Sequence, residues 1–252
     1  MTDFSIIIPT YNHPDLARNA ITSVLKQQGV TVQIIISDDS VNDEIASLCN
    51  SFSHENLLYM HHISTHNAAE NWNYGLGFVT GEYVILMHHD EYFQSNNHLA
   101  CLKNKFDTGA DIVISNISVT INQKQRKRFF TKKAKSWILR HPAILFAFNV
   151  IGPCACVAVR HSCLQNFNAE LSWLVDVEWY FRCLSRKKVT YINDLYVGSQ
   201  HGHQGQISLE INVLQALKKD IRTIYGLPYC TLSIKLNLLF YRIIQTLKYF
   251  RR

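Results

Sequence analysis

No apolar stretch in this 252-residue chain approaches the ~20 residues that a membrane-spanning helix needs, so a protein working at a membrane would work from its surface. Nor does any G-x-G-x-x-G follow the first strand-like run, which argues against a dinucleotide-binding dehydrogenase. C-x-x-C pairs are also missing. The seven cysteines (Cys49, Cys101, Cys154, Cys156, Cys163, Cys183 and Cys230) are odd in number and scattered, which fits reduced thiols in a cytosolic protein better than a disulfide framework or a zinc site. Cys154 and Cys156 read as packing residues. A signal peptide is not expected, because the N-terminus runs straight into the apolar Phe4–Ile8. Repeats and low-complexity linkers are lacking too, so one domain with a C-terminal appendage is the simplest partition.

Acids are missing from two places. Between Lys124 and Arg140 there are eight Lys/Arg and no Asp or Glu; removing those eight from a total of +6 leaves the rest of the chain at −2. The body is therefore near neutral and the basicity is local. The second acid-free stretch is Leu232–Arg252, which has the pattern of one long amphipathic helix. With 47% hydrophobic and 17% charged residues, the composition is globular and excludes wholesale disorder.

Continuous apolar runs at Phe4–Ile8, Val32–Ser37 and Tyr83–Met87 suggest strands buried on both faces. Helical spacing is expected over 15–28, 44–52 and near 68–79, with short strands at 57–61 and 111–119. Strands alternating with helices imply right-handed crossovers and an open, mostly parallel, doubly wound α/β sheet with helices on both faces. Beyond Lys124 the pattern is less regular: a Gly152-Pro153 turn, a strand-like Cys154–Arg160, and an aromatic helix around Trp173–Leu184. Ligands of such sheets bind at the carboxyl ends of the strands. Three polar clusters lie there: Pro9-Thr10-Tyr11-Asn12, Ser37-Asp38-Asp39-Ser40 and His88-His89-Asp90-Glu91. Each alone could be a cap or a solvated loop; an aromatic, two carboxylate clusters and imidazoles on one sheet edge are hard to explain by folding needs.

These three clusters, with Asn71-Trp72-Asn73-Tyr74-Gly75, Gly81–Glu91, Ile151-Gly152-Pro153, Val175–Arg182 and His203–Ser208, resemble family 2 glycosyltransferases of the GT-A fold. The motifs occur in the right order over roughly four-fifths of the chain. The resemblance implies a domain over 1–225, with a nucleotide-binding half (1–120) and an acceptor and catalytic-base half (121–225), followed by a basic amphipathic helix over 226–252. It implies a nucleotide pocket of Pro9, Thr10, Tyr11, Asn12, Asp39, Asn71 and His89, in which Tyr11 stacks on a pyrimidine. Asp39 would accept from the base N–H, favouring a UDP-sugar, since a carboxylate only accepts.

Asp90 matches the family's metal-binding aspartate, and His203 a late histidine at the metal or diphosphate. Mg²⁺ or Mn²⁺ would neutralise the leaving diphosphate. The chain departs from the family's D-x-D motif at His88; an imidazole ligand there would favour Mn²⁺, and Glu91 could compensate for the missing acid. Asp176 matches the general base of the inverting enzymes. Glu178 points about 200° away from Asp176 on a helix and could pair with Arg182. Trp173, Gly152 and Glu178 are the acceptor-side candidates, while Trp72 has the character of a core residue.

The implied activity is sugar transfer to a glycan or lipid-linked oligosaccharide, as in surface polysaccharide assembly. The replaced D-x-D acid motivates a different alternative, a non-catalytic protein of this type that binds nucleotide or glycan. Nucleic acid is not an expected partner, because no binding module accompanies the basic segment. In the C-terminal helix, Leu232, Leu236, Leu239, Phe240, Ile243, Leu247 and Phe250 share one face, and Lys235, Arg242, Lys248, Arg251 and Arg252 lie at its flanks or opposite. That stripe suits an anionic membrane surface, the domain's own core, or a partner subunit.

Overall fold

Apolar runs flanked by polar loops become the central strands of the computed structural model, which describes residues 2–121, 124–127, 131–202 and 211–249. The strands are β1 (Phe4–Thr10), β2 (Val32–Asp38), β3 (Leu57–His61), β4 (Tyr83–Leu86), β5 (Glu91–Phe93), β6 (Ile112–Ile121), β7 (Lys124–Lys127), β8 (Val157–Arg160) and β9 (Val189–His201). The α-helices are α1 (Pro14–Leu25), α2 (Glu44–Phe52), α3 (Ala68–Leu76), α4 (His98–Asp107), α5 (Lys132–Arg140), α6 (Val175–Leu184), α7 (Val213–Tyr225) and α8 (Leu232–Tyr249). The strands form a single sheet in the order β3-β2-β1-β4-β8-β6-β9-β5, with β7 on the outer part of β6.

From β3 to β4 the pairing is parallel, as expected of α/β crossovers. The second half differs from that expectation. β8 runs antiparallel between β4 and β6, and β5 runs antiparallel to β9. β8 starts just after the Gly152-Pro153 turn and a 3-10 turn over Cys154–Cys156. The expected strand over Cys154–Arg160 is accordingly only half extended, because the amide of Cys156 folds back onto the carbonyl of Pro153. Both cysteines are nonetheless buried, and none of the described cysteines is in a disulfide.

Strand order reverses at β1: the chain passes outward to β2 and β3, then returns to β4 on the other side of β1. Such a switch point opens a crevice at the carboxyl ends of the two strands. All of β1 and β4 is buried, so the floor of that crevice is rigid core. Helix α3 lies directly on this floor. A Cβ at Gly75 would sit 2.5 Å from Ile7 Cγ2, and this close approach brings Asn71, one turn earlier, over the ends of β1 and β2.

One core residue makes the fold acid-sensitive. His98, at the start of α4, is fully buried against Phe93, with ring centroids 4.5 Å apart. Burial drives its pKa from 6.5 down to about 3, against a small opposing contribution from the Tyr196 backbone. Between those two values the unfolded chain takes up a proton that the folded chain refuses. Stability is therefore complete above pH 6.5 and falls as the pH drops towards 3, by about 1.4 kcal/mol per unit. Urea titrations at pH 7 and pH 5 are expected to differ by about 2 kcal/mol from this group, and His98→Phe should remove that part of the slope.

Candidate active site

At the carboxyl end of β2, two neighbouring aspartates do different work. Asp38 is fully buried and accepts from Thr10 Oγ1 (3.0 Å), Ser40 N (3.1 Å), Ser40 Oγ (2.6 Å) and Tyr59 OH (2.9 Å). Those bonds consume its acceptor capacity and tie β1, β2 and β3 together. Asp39 is also buried, at 7% exposure, but its carboxylate holds fewer partners, Asn71 Nδ2 (3.2 Å) and Ser64 Oγ (3.5 Å). Burial, with the Asp38 charge beside it, holds its carboxyl above the ordinary range, against the pull of His62.

Tyr11 is 42% exposed and stands on a turn in which Asn12 and His13 both have φ near +56°. Two successive non-glycine residues in the left-handed region mark a constrained turn, though Asn and His tolerate it better than most. The amide of Asn12 is pinned by Ser40 Oγ at 2.7 Å. His13 stacks on His89 across the switch point, with centroids 5.8 Å apart.

Three of the residues expected in the nucleotide pocket are buried. Pro9 and Thr10 are buried strand residues, so they shape the pocket floor and present no side chain to a ligand. Asn71 is also buried. Its amide donates to Asp39 Oδ1 (3.2 Å) and to the carbonyls of Ser37 (3.0 Å) and Thr10 (3.5 Å), while its Oδ1 accepts from Ser37 Oγ (2.7 Å). Its polar groups are engaged, and it acts by setting Asp39.

Across the crevice, the end of β4 carries His88, His89 and Asp90. Donor atoms of His88, Asp90 and Glu91 lie within 4.8 Å of one another, a span that a single divalent cation can bridge with ligands at 2.0–2.6 Å. Glu91 is buried and bound to His88 twice, from the amide (2.9 Å) and from Nδ1 (3.0 Å). Burial disfavours the imidazolium, but Glu91 outweighs it, with help from Asp90 and Asp176, and lifts the His88 pKa to about 9. The same burial raises the Glu91 carboxyl, partly offset by His88. His88 also packs on Trp72 at 4.9 Å, so Trp72 serves as the wall behind the cluster, in keeping with its core character. His203, with the rest of His203–Ser208, lies outside the described residues.

Asp176 comes from the opposite half of the chain, in the first turn of α6, and is near enough to add to the electrostatic pull on His88. Its Oδ2 accepts from Asn149 Nδ2 (3.0 Å) and its Oδ1 from the amide of Val177 (2.8 Å). Asn149 also holds the turn at Gly152, accepting from the amides of Ile151 (3.1 Å) and Gly152 (3.0 Å). Gly152 has φ +109° and rests against Ile117, so it is a backbone requirement of this turn. Tyr180 OH donates to its carbonyl at 3.0 Å.

Glu178 is fully buried and receives Arg182 through Nε (2.5 Å) and Nη2 (2.9 Å), with Tyr229 OH beside them. The expected i,i+4 pairing with Arg182 is what forms. Trp173 is half-buried and donates through Nε1 to Tyr241 OH on α8 at 3.0 Å. Helix α6 starts at Val175, two residues later than Trp173. The amides of Ser172, Trp173 and Leu174 are held instead by Asp220 of α7 at 2.7–3.2 Å. Sequence reasoning missed His13, Asn149 and Asp220. His13 borders a motif and was findable; the other two act across gaps of 27 and 46 or more residues, with no local signal.

The glycosyl transferase family 2 model matches residues 5–166, the span that contains the Asp39 pocket, the β4 cluster and Asn149. An uncharacterized glycosyltransferase of Rickettsia typhi is 25% identical over 206 residues, 78% of this chain and 63% of that protein. The succinoglycan biosynthesis protein ExoO of Rhizobium meliloti is 22% identical over 52% of this chain and 37% of its own length. The chain thus spans less than two thirds of these relatives. Among solved structures, S. aureus TarS 1-349 in complex with UDP-GlcNAc superposes with a TM-score of 0.72 at 15% identity, covering 95% of this chain and 71% of that one. The mannosyltransferase PcManGT of Pyrobaculum calidifontis, in complex with GDP-Man and Mn²⁺, gives 0.67 at 15% identity, covering 96% and 71%. These likenesses establish a GT-A sheet. With the matched span taking in most of the crevice, the chain belongs to glycosyl transferase family 2.

Proposed function

We propose that the chain is an inverting glycosyltransferase that moves a sugar from a nucleotide diphosphate donor, most naturally a UDP-sugar, to an acceptor hydroxyl. The observation that carries this reading is the convergence of Asp176, Asp90 and the His88–Glu91 pair on one crevice, opposite the exposed ring of Tyr11 and the carboxylate of Asp39. Tyr11 supplies a face for a pyrimidine, and Asp39 accepts from its imide N–H. His13 and His89, stacked at the mouth, flank the path of the diphosphate.

Asp90, with Glu91 and His88, would hold Mn²⁺ or Mg²⁺, which neutralises charge on the departing diphosphate when bound. Asp176 takes the proton from the acceptor hydroxyl as that oxygen bonds to the anomeric carbon. The bond from that carbon to the diphosphate breaks on the opposite face, and the electron pair leaves on the diphosphate oxygen. The acceptor is a glycan or a lipid-linked oligosaccharide of surface polysaccharide assembly, handled at the inner face of the cytoplasmic membrane.

Metal-dependent release of UDP from a panel of UDP-sugars tests the reading. Turnover of one donor with Mn²⁺, reduced roughly a hundredfold or more in Asp90→Ala, is expected. Tight UDP binding with no turnover on any donor or lipid-linked acceptor would instead favour a non-catalytic nucleotide-binding protein.

A further inference from the structure

The stripe of apolar residues expected on the C-terminal helix does not face the protein. Helix α8 is fastened by its other side: Ile234 and Leu238 are fully buried, and Tyr241 accepts the indole N–H of Trp173. Leu232, Leu236, Leu239, Phe240, Ile243 and Leu247 point the opposite way and are 45–71% exposed. At 100° per residue the two faces are centred about 180° apart, so the helix is apolar on both sides and only one side is used. Packing on the domain's own core is thereby ruled out as the purpose of the outer stripe. Nor does the helix cross a bilayer: no helix among the described residues is long and apolar enough.

Charge identifies the occupant. From Ile221 to Arg252 the sequence carries six Lys/Arg and no acid. Lys235 and Arg242 lie along one flank of the outer stripe and Lys248 along the other, each about 90–130° from its centre. An apolar ridge between cationic flanks is the geometry of a helix lying in an anionic lipid interface. A second copy fits less well, since a two-fold contact of stripe on stripe would set cationic flanks against cationic flanks.

The position of the helix adds a second argument. The helix touches both segments that hold Asp176: Tyr241 of the inner face meets Trp173, three residues before it, and the half-exposed Phe240, at the edge of the outer stripe, meets Phe148 (5.4 Å), next to Asn149. We infer that the outer face of α8 docks on an anionic lipid surface and so presents the Asp176 side of the crevice to molecules anchored there. The docking surface stands by itself; only what is presented to it rests on the transferase reading above.

The test is co-sedimentation of the full chain with phosphatidylcholine vesicles, with and without phosphatidylglycerol, alongside UDP binding. The wild type should partition onto the phosphatidylglycerol vesicles and roughly tenfold less onto phosphatidylcholine alone or at high salt. Ile243→Ser with Leu247→Ser should lose the partitioning, as should Arg242→Gln with Lys248→Gln, and both variants should keep UDP affinity. Wild type that ignores both vesicle types overturns the inference. So does a dimer in sedimentation velocity that the Ile243→Ser, Leu247→Ser variant dissolves, which would make a second copy the occupant. Because UDP binding is read separately, vesicle binding without UDP binding would sink the transferase reading and leave the docking surface standing.

Discussion

Asp176→Asn is expected to lower sugar transfer by roughly 10²–10⁴-fold, the range for loss of a positioned general base, with UDP affinity essentially unchanged. The side chain is nearly isosteric, so the fold and the first turn of α6 should survive. It retains one carbonyl oxygen, which accepts from Asn149 or from the Val177 amide, the two donors that hold the aspartate now. What it loses is the ability to take a proton. Steady-state UDP release, paired with calorimetric titration of UDP, separates the two quantities. Turnover close to wild type would remove Asp176 from the chemistry and return the base to solvent or to another carboxylate. The companion variant Asn149→Ala keeps the carboxylate but frees its orientation, so a smaller fall in turnover, again without loss of UDP affinity, is expected.

The largest stability effect is expected at a residue that touches no substrate. Asp220 is fully buried and accepts from the consecutive amides of Ser172, Trp173 and Leu174. They are the turn from which α6 departs, and a carboxylate there also meets the positive end of the helix. Asp220→Ala leaves three buried donors without an acceptor and should cost about 3–5 kcal/mol. Asp220→Asn keeps one oxygen and should cost about half as much. Urea unfolding midpoints measure the loss. Near-UV circular dichroism of Trp173, whose indole bonds to Tyr241, reports whether the turn itself has moved. In Asp220→Asn, turnover should fall further than UDP affinity, because the displaced turn carries Asp176 and not the base pocket.

The N-terminal half of the fold was legible in the sequence because its strands are buried on both faces and read as unbroken apolar runs: β1, β2 and β4 were found within two residues at each end. β9 was missed. Its burial alternates poorly along Val189–His201, and its partners, β6 and β5, are distant in sequence. Helices α4 and α7 were also passed over, their lysines masking a buried face of Leu99, Leu102 and Phe106 in one and Leu217, Ile221 and Ile224 in the other. For the site, residue type and strand-end position singled out Tyr11, Asp39 and Asp90 as candidates, and the family resemblance added Asp176. They did not distinguish side chains that line the crevice from those that hold it. Thr10, Asn71 and Glu178 carry polar groups near the right places, and only their burial and partners show that those groups are already taken.

The amide of Asn71 is fixed by neighbours that cannot all be satisfied the other way round. Its NH₂ end faces two backbone carbonyls and Asp39, and its oxygen faces the hydroxyl of Ser37. An Asp39→Asn change, the simplest step towards a base that offers an acceptor where an imide offers N–H, would turn its own carbonyl towards Asn71 and its NH₂ towards the ligand. The reverse orientation would set two NH₂ groups against each other. On the proposed reading of Asp39 as the base contact, a change of base preference through that single codon depends on Asn71 staying put. Without Asn71, residue 39 would lose its 3.2 Å amide donor and keep only the longer Ser64 Oγ contact (3.5 Å) of these two, and the proposed base contact would lose definition with it.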